Sequence, residues 1–386
     1  MNTGIFSRRR FVTTGASTGA AALLGRTWRD AVAESADPRL AKVISSTIAI
    51  DMHNHVYPAG ISQSRGPGAW GGPFGQQQEP AQDSELSLEK ELNQAGLTAV
   101  CAAYELDFTP INKPGDARDN YLRWIAALDR QLEREHLHRA FNLKDLQVAH
   151  ETRRPVIIHG VEGSQFIEGK LERVEEVYKR GLRHLQLLHD RDDLVARLGD
   201  TDNGRDHMGG LTSIGKEVIQ ECNRLGIVVD LAHAAPQTIL DATKVSTQPF
   251  VVSHTGPVTH AADNSQMAGM MQPRLLNRER AKVVSDAGGV IGVWKYMAGS
   301  VREYVQNIKA MVDLAGIDHV GIGTDTNILS SRPGQATNAA LPDMRGGFFY
   351  AIAGEMLRQG FSVDDIGKVG GGNYCRVFNK VTDGRA

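Results

Sequence analysis

Eight short apolar runs, separated by amphipathic stretches that mostly close on glycine, set the terms for this chain. The runs are STIAID (46–51), TAVCAAY (98–104), PVIIHGV (155–161), HLQLL (184–188), IVVDLA (227–232), PFVVS (249–253), GVIGVW (289–294) and HVGIGT (319–324). Between them lie helical patterns such as SELSLEKELNQAG, KLERVEEVYKRG, TSIGKEVIQECNRLG, RERAKVVSDAG and VREYVQNIKAMVDLAG. These end on Gly96, Gly181, Gly226, Gly288 and Gly316, where a left-handed C-terminal cap is expected. The runs lack clean in–out alternation, so each predicts a strand buried on both faces, in a parallel sheet covered by helices. Eight such units are the number that closes a (β/α)8 TIM-type barrel. A doubly wound open sheet fits the same alternation, and strand counting by itself leaves both open. No G-x-G-x-x-G follows a strand, so a dinucleotide site has no support.

At 386 residues the chain has room for two average domains, yet α/β barrels of about 250 residues or more fold as one, and no linker divides it. The expected organisation is a leader over residues 1–36 and a single barrel over 37–386. A net charge of −2 with no basic stripe gives no footprint for nucleic acid. Cys101, Cys222 and Cys375 are far apart and odd in number, which predicts neither a disulfide framework nor a thiolate metal cluster. The leader reads SRRRFVTTGASTGAAALLG, with Arg8, Arg9 and Arg10 ahead of Phe11 and a short run of small and apolar residues. That order resembles the bacterial twin-arginine export signal, with a disordered basic tail as the plainer alternative. Ala31-Val32-Ala33 is a candidate cleavage site, and ESA at 34–36 competes with it. The apolar run falls well short of the ~20 residues that span a bilayer, so no transmembrane span is expected. Export by this route carries folded proteins, placing a metal-loaded product in the periplasm or outside the cell.

Two long loops, 58–82 and 328–347, follow the first and eighth predicted strands. Loops of that length are either functional or disordered, and in a barrel both would overhang the same rim.

The residue at the C-terminal end of each run carries the chemistry. The first run leads into His53 and His55, the third into Glu162, the fourth into His189, the fifth into His233, the sixth into His254 and the eighth into Asp325. In a barrel these ends share one rim, so all seven side chains converge; an open sheet would spread them along a line. Nitrogen and oxygen donors without thiolates suit zinc, with manganese, cobalt or iron compatible. A carboxylate among imidazoles can bridge two ions, and two divalent ions ~3.5–4 Å apart can share a water and polarise a carbonyl. Asp51, on the strand face of His53, is a candidate acceptor to fix an imidazole. Of the remaining histidines, His136, His138, His150, His184, His207, His260 and His319 read as solvated or structural, and His159 as packed against a helix. Within HDRDD (189–193) only His189 has the strand-end position.

At these residues the chain resembles the membrane (renal-type) dipeptidases, the M19 family of zinc peptidases among the amidohydrolase-like barrels. The resemblance runs from IDMHNH to VGGGNYCRVF through GVEG, GLTSIGKEVIQECNRLGIVVDLAHAAPQTI, VVSHTGP, PRLLN, GGVIGVWKY and VGIGTD, in that order. It implies two divalent metal ions bridged by Glu162, with His53 on the first ion, joined by His55, and His233 and His254 on the second. It also implies Asp325 as the group that manages the proton and His189 as the contact to the developing oxyanion. Arg274 and Tyr296 would hold the terminal carboxylate of a dipeptide, cleaved by a metal-bridging hydroxide. The family usually has aspartate at the place of His55, so the first ion would gain an imidazole and lose a negative charge. Trp294 and Lys295 stand where Asn-Phe is usual, and GTDTN lacks the phenylalanine and second aspartate of the usual GDFDG. These departures leave room for another small amide, ester or lactone as substrate, or for a metal-binding protein without turnover. The expected partner is a small carboxylate-bearing molecule, and a homodimer is compatible with the chain.

Overall fold

The computed structural model describes residues 37–61, 86–190, 196–203, 207–258 and 271–383. The expected leader, most of the 58–82 loop, the Arg191, Asp192 and Asp193 end of HDRDD, and His260 lie outside the described residues. Eight strands form the frame: β1 Ile50–His55, β2 Ala99–Ala103, β3 Val156–Val161, β4 His184–Gln186, β5 Val228–Asp230, β6 Val251–Thr255, β7 Val290–Val293 and β8 Val320–Ile322. Each pairs in parallel with the next, and β8 returns to β1 through Asp51 opposite Ile322. The sheet is therefore a closed (β/α)8 barrel, and the open-sheet alternative falls. Two-residue strands add His138–Arg139 beside β3 and Thr326–Asn327 beside β1.

The predicted helices form at Leu88–Ala95, Glu172–Lys179, Ser213–Leu225, Arg278–Asp286 and Val301–Ala315. Gly96 and Gly226 take the left-handed cap conformation, with φ of 74° and 86°. Further helices at Asp116–Glu135, Leu143–Thr152, Phe348–Arg358 and Asn373–Thr382 were not singled out in the sequence.

Two strands sit later than expected. Asp37 caps a helix with Pro38 in its first turn, which carries helical structure to Ser46, so β1 begins only at Ile50. His53 and His55 consequently lie within β1 rather than beyond its end. β6 likewise runs to Thr255 and contains His254.

The two ends of the barrel differ in chemistry. Near the strand starts, Ile50, Ala99, Val156, Val228, Val251 and Val290 pack in one apolar cluster with Tyr374, Val377 and Phe378 of the C-terminal helix. Hydrocarbon fills that end, and the polar strand ends occupy the other. Inside the wall, Gly292 and Gly323 face Ser253; a Cβ on either would collide with the Ser253 carbonyl oxygen. Gly323→Ala is expected to destabilise the fold by about 1–3 kcal/mol or more, because rigid backbone cannot yield. Gly354→Ala, in a helix where the nearest neighbour of the new Cβ is Leu40 at 3.8 Å, is expected to be neutral or to stabilise by up to about 1 kcal/mol. Urea unfolding of the two variants checks this, and a Gly323→Ala protein as stable as the parent would contradict it.

Candidate metal centre

Glu162 stands immediately after β3, and its two carboxylate oxygens face two different sets of side chains. Oε2 lies 3.5 Å from His53 Nε2 and 3.9 Å from His55 Nε2. Oε1 lies 3.5 Å from Nε2 of each of His189, His233 and His254. Asp325 joins from beyond β8, with Oδ1 2.9 Å from His55 Nε2 and 3.9 Å from His53 Nε2. All seven strand-end side chains therefore meet, drawn from six strands, and all are buried except Asp325, which is partly so.

The backbone is bent to bring them there. His233 and Asp325 both adopt left-handed conformations, with φ of 65° and 56°. Non-glycine residues rarely do so, and such strain persists only where the surroundings enforce it. The Asp325 N–H donates to the His53 carbonyl oxygen at 3.1 Å, which fixes the turn against β1.

Side chains beneath the ring set its orientation. Ser253 Oγ contacts Nδ1 of both His53 (3.2 Å) and His254 (3.0 Å), which turns each Nε2 toward Glu162. His189 Nδ1 meets Asp107 Oδ1 at 2.6 Å, leaving Nε2 toward the centre. Gln186 Nε2 donates to Glu162 Oε1 at 3.3 Å. One layer lower, His184 bridges Tyr374 (2.9 Å) and Asp230 (3.0 Å), and Asp230 accepts from the Ser253 N–H. His184 is thus structural. His159 meets Tyr121 of the Asp116–Glu135 helix at 3.0 Å, as expected of a histidine packed against a helix.

Asp51 does not orient an imidazole. The pairing register of β1 and β2 shifts between Asp51 and Asn54, which breaks the alternation that would have aimed it alongside His53. Its oxygens instead accept from the Thr324 N–H (2.9 Å), Thr324 Oγ1 (2.6 Å), Asn54 Nδ2 (2.8 Å) and the His53 N–H (3.2 Å). Asp51 ties β1 to the end of β8.

The arrangement fits divalent cations on two counts. His53 Nε2 and Glu162 Oε2 are buried and make no hydrogen bond among the described residues. Meanwhile His233 Nε2 and His254 Nε2 point at one another across 2.9 Å. At that distance the two nitrogens share one proton as a hydrogen bond, and parting to the ~3.3 Å that separates nitrogens at ~2.0–2.1 Å from a tetrahedral zinc would let one ion take its place. Donor sets whose atoms lie within 4.8 Å of one another are His53–His55–Glu162, Glu162–His233–His254, His53–His254–Asp325 and His189–Asp190–His233. The electrostatics agree. Burial would strip the proton from His55, but Glu105, Asp325 and Glu162 outweigh it and push the pKa up to about 10. Burial opposes the charge on Glu162 as well, yet His189, His53 and His233 hold it well below the usual carboxylate range. The carboxylates favour positive charge beside them, which a divalent cation would supply.

Arg274, in the segment after β6, and Tyr296, just beyond β7, lie beside the ring. The Arg274 guanidinium is paired with Asp190 at 2.5 Å, and its Nε lies 3.7 Å from Asp202. A pocket beside the ring is lined in part by Asp202, His233, His254, Arg274 and Trp294. Tyr296 reaches the Asp325 carbonyl oxygen at 3.5 Å, and Lys295 Nζ lies 4.6 Å from the Tyr296 ring centre while donating to the Gly334 carbonyl. Glu105, Asp107, Ser253, Asp190 and Asp202 all contribute here and were not singled out in the sequence.

A closed barrel whose strand ends converge as a ring of imidazoles around a buried carboxylate defines the class of the metal-dependent hydrolase barrels. The chain belongs to the membrane dipeptidase family (peptidase family M19), which it matches over residues 39–386. Dipeptidase tcpJ of Claviceps purpurea is 23% identical over 286 residues, covering 73% of this chain; the match spans 64% of that relative's length. The probable dipeptidase PvdM from Pseudomonas aeruginosa superposes with a TM-score of 0.70 at 17% identity, covering 90% of this chain and 98% of that one. A metallopeptidase from Rhodobacter sphaeroides, liganded with a phosphinate mimic of the dipeptide L-Ala-D-Ala, gives 0.61 at 18% identity, covering 75% and 89%.

Asp51→Asn is expected to lower folding stability by about 2–3 kcal/mol, since an amide cannot replace a carboxylate that accepts four donors. Urea unfolding measures it; a loss below about 0.5 kcal/mol would show that the seam does not depend on this side chain.

Proposed function

We propose that this chain is a zinc-dependent dipeptidase that uses two divalent ions held around Glu162. The observation that carries the reading is that Glu162 turns one oxygen toward His53 and His55 and the other toward His233 and His254. Two such ions supply a water of lowered pKa and polarise the scissile carbonyl. His53, His55 and Glu162 would hold one ion, and Glu162, His233 and His254 the other. Asp325, beside His55 at the open rim, takes the proton of the attacking water and passes it to the leaving amine. His189, braced by Asp107, presents Nε2 where negative charge develops on the carbonyl oxygen. Arg274 and Tyr296 receive the terminal carboxylate. The M19 assignment and the dipeptide mimic bound by the Rhodobacter relative support a dipeptide as the substrate.

One observation favours a second reading. Arg274 is already engaged by Asp190 and lies near Asp202, so an incoming carboxylate competes with two built-in ones. A neutral amide, ester or lactone would not.

Purified protein assayed against L,L and L,D dipeptides, their C-terminal amides, N-acyl amino acids and lactones separates the two. The dipeptidase reading predicts that a chelator abolishes hydrolysis and zinc restores it. Asp325→Asn should lower kcat by ~10²-fold or more. Amidated dipeptides should lose at least ~10-fold in kcat/KM, the worth of a charge-assisted hydrogen bond. Amides, esters or lactones turned over as well as free dipeptides would favour the second reading.

Export through the twin-arginine-type leader belongs to the same proposal, supported by Arg8 and Arg9 ahead of Phe11. Fractionation should find the protein outside the cytoplasm, and Arg8→Lys with Arg9→Lys should retain it inside. Equal export of that variant would remove the leader from the account.

A further inference from the structure

Glu105 lies two residues beyond β2, in a stretch (YELDF) that reads as an ordinary acidic turn. The backbone places it beside Glu162. The two residues form a parallel bridge, with the Glu162 N–H donating to the Tyr104 carbonyl (3.1 Å) and the Leu106 N–H donating to the Glu162 carbonyl (3.3 Å). The Glu105 residue is 6% exposed, and its Oε1 lies 3.6 Å from His55 Nε2. That same nitrogen lies 2.9 Å from Asp325 Oδ1 and 3.9 Å from Glu162 Oε2.

Three carboxylates from three separate elements thus surround one imidazole nitrogen. An imidazole N–H can serve one acceptor well, and Asp325 has the shortest distance. Three buried carboxylates gathered at one imidazole nitrogen concentrate negative charge there, which a cation among them would offset. The identity of residue 55 points the same way. A neutral histidine at position 55 brings no negative charge from β1, and Glu105, just beyond β2, brings one to the same nitrogen.

We propose that Glu105 is an oxygen ligand of the ion held by His53, His55 and Glu162, replacing the charge that His55 lacks. The two ends of the centre are then unequal. The His53–His55 end draws on Glu105 and Glu162 as well as two imidazoles, with Asp325 adjacent, and suits a harder ion such as Mn²⁺ in addition to zinc. The His233–His254 end is imidazole-rich and suits zinc. The proposal rests on the two-ion reading of the site but not on the choice of substrate.

The test is metal binding. Chelator-stripped full-length protein is titrated with Zn²⁺ and separately with Mn²⁺, followed by calorimetry and by elemental analysis after dialysis. The parent should bind two equivalents of zinc. Glu105→Gln should keep one tight equivalent and weaken the other at least ~10-fold, with a larger loss for Mn²⁺. His233→Asn, chosen because asparagine tolerates the left-handed backbone, should weaken the equivalent that Glu105→Gln retains. Two equivalents of unaltered affinity in Glu105→Gln would overturn the assignment, including the case where only KM for a dipeptide rises. If that variant does not fold by circular dichroism, Glu105→Asp withdraws the carboxylate by one methylene and should weaken the same equivalent; unchanged binding there overturns the assignment equally. A parent that binds two ions yet cleaves no dipeptide defeats the substrate reading alone. A parent that binds fewer than two defeats both.

Discussion

The chemistry at the rim depends on the seam where β8 returns to β1. His53 and His55 lie on one side of that seam and Asp325 on the other, and they can meet His233, His254 and Glu162 only if the sheet closes. A buried polar network holds the seam. Asp51 accepts from Thr324, while Asn54 donates to Asp51, Thr326 and Thr337 and accepts from the Ile328 N–H at 2.9 Å. Every member lies on β1 or in the segment after β8, so the network and the barrel form or fail together. In a low-dielectric interior such a network specifies one arrangement because any slip leaves charge without partners.

The two ends of the barrel divide the work. Apolar strand starts packed on Tyr374, Val377 and Phe378 supply stability. The opposite end spends it on left-handed backbone at His233 and Asp325 and on carboxylates crowded around imidazoles. This is the pattern expected where a fold is strained for a purpose, since neither the torsion angles nor the like charges help the chain to fold. A bound cation would offset the electrostatic part of that strain, which would link metal binding to stability as well as to chemistry.

Much of this was legible in the sequence, and the exceptions have physical causes. Strands buried on both faces leave unbroken apolar runs, so all eight could be located, and glycine caps marked the helices between them. Strand-end position picked out His53, His55, Glu162, His189, His233, His254 and Asp325, because parallel closure alone brings such residues together. The start of β1 was misplaced because STI is apolar enough for a strand, whereas the Asp37 cap extends a helix to Ser46. Asp51 was misassigned because alternation assumes regular pairing, and the register shifts at that point. Glu105, Asp107 and Ser253 carried no signal: acidic residues in a loop look solvated, and a serine in a strand looks like filler. Only the fold shows that Ser253 touches two imidazoles and that Asp107 braces a third. The engagement of Arg274 by Asp190 was equally invisible, since the two are 84 positions apart.

The central claim is that one carboxylate, Glu162, stands between two cations. Anomalous X-ray scattering at the zinc edge, from crystals grown with zinc, tests it most directly. The account predicts two peaks flanking Glu162, one bonded toward His53 and His55 and the other toward His233 and His254. A single peak away from Glu162, or no peak within bonding reach of its oxygens, would contradict it.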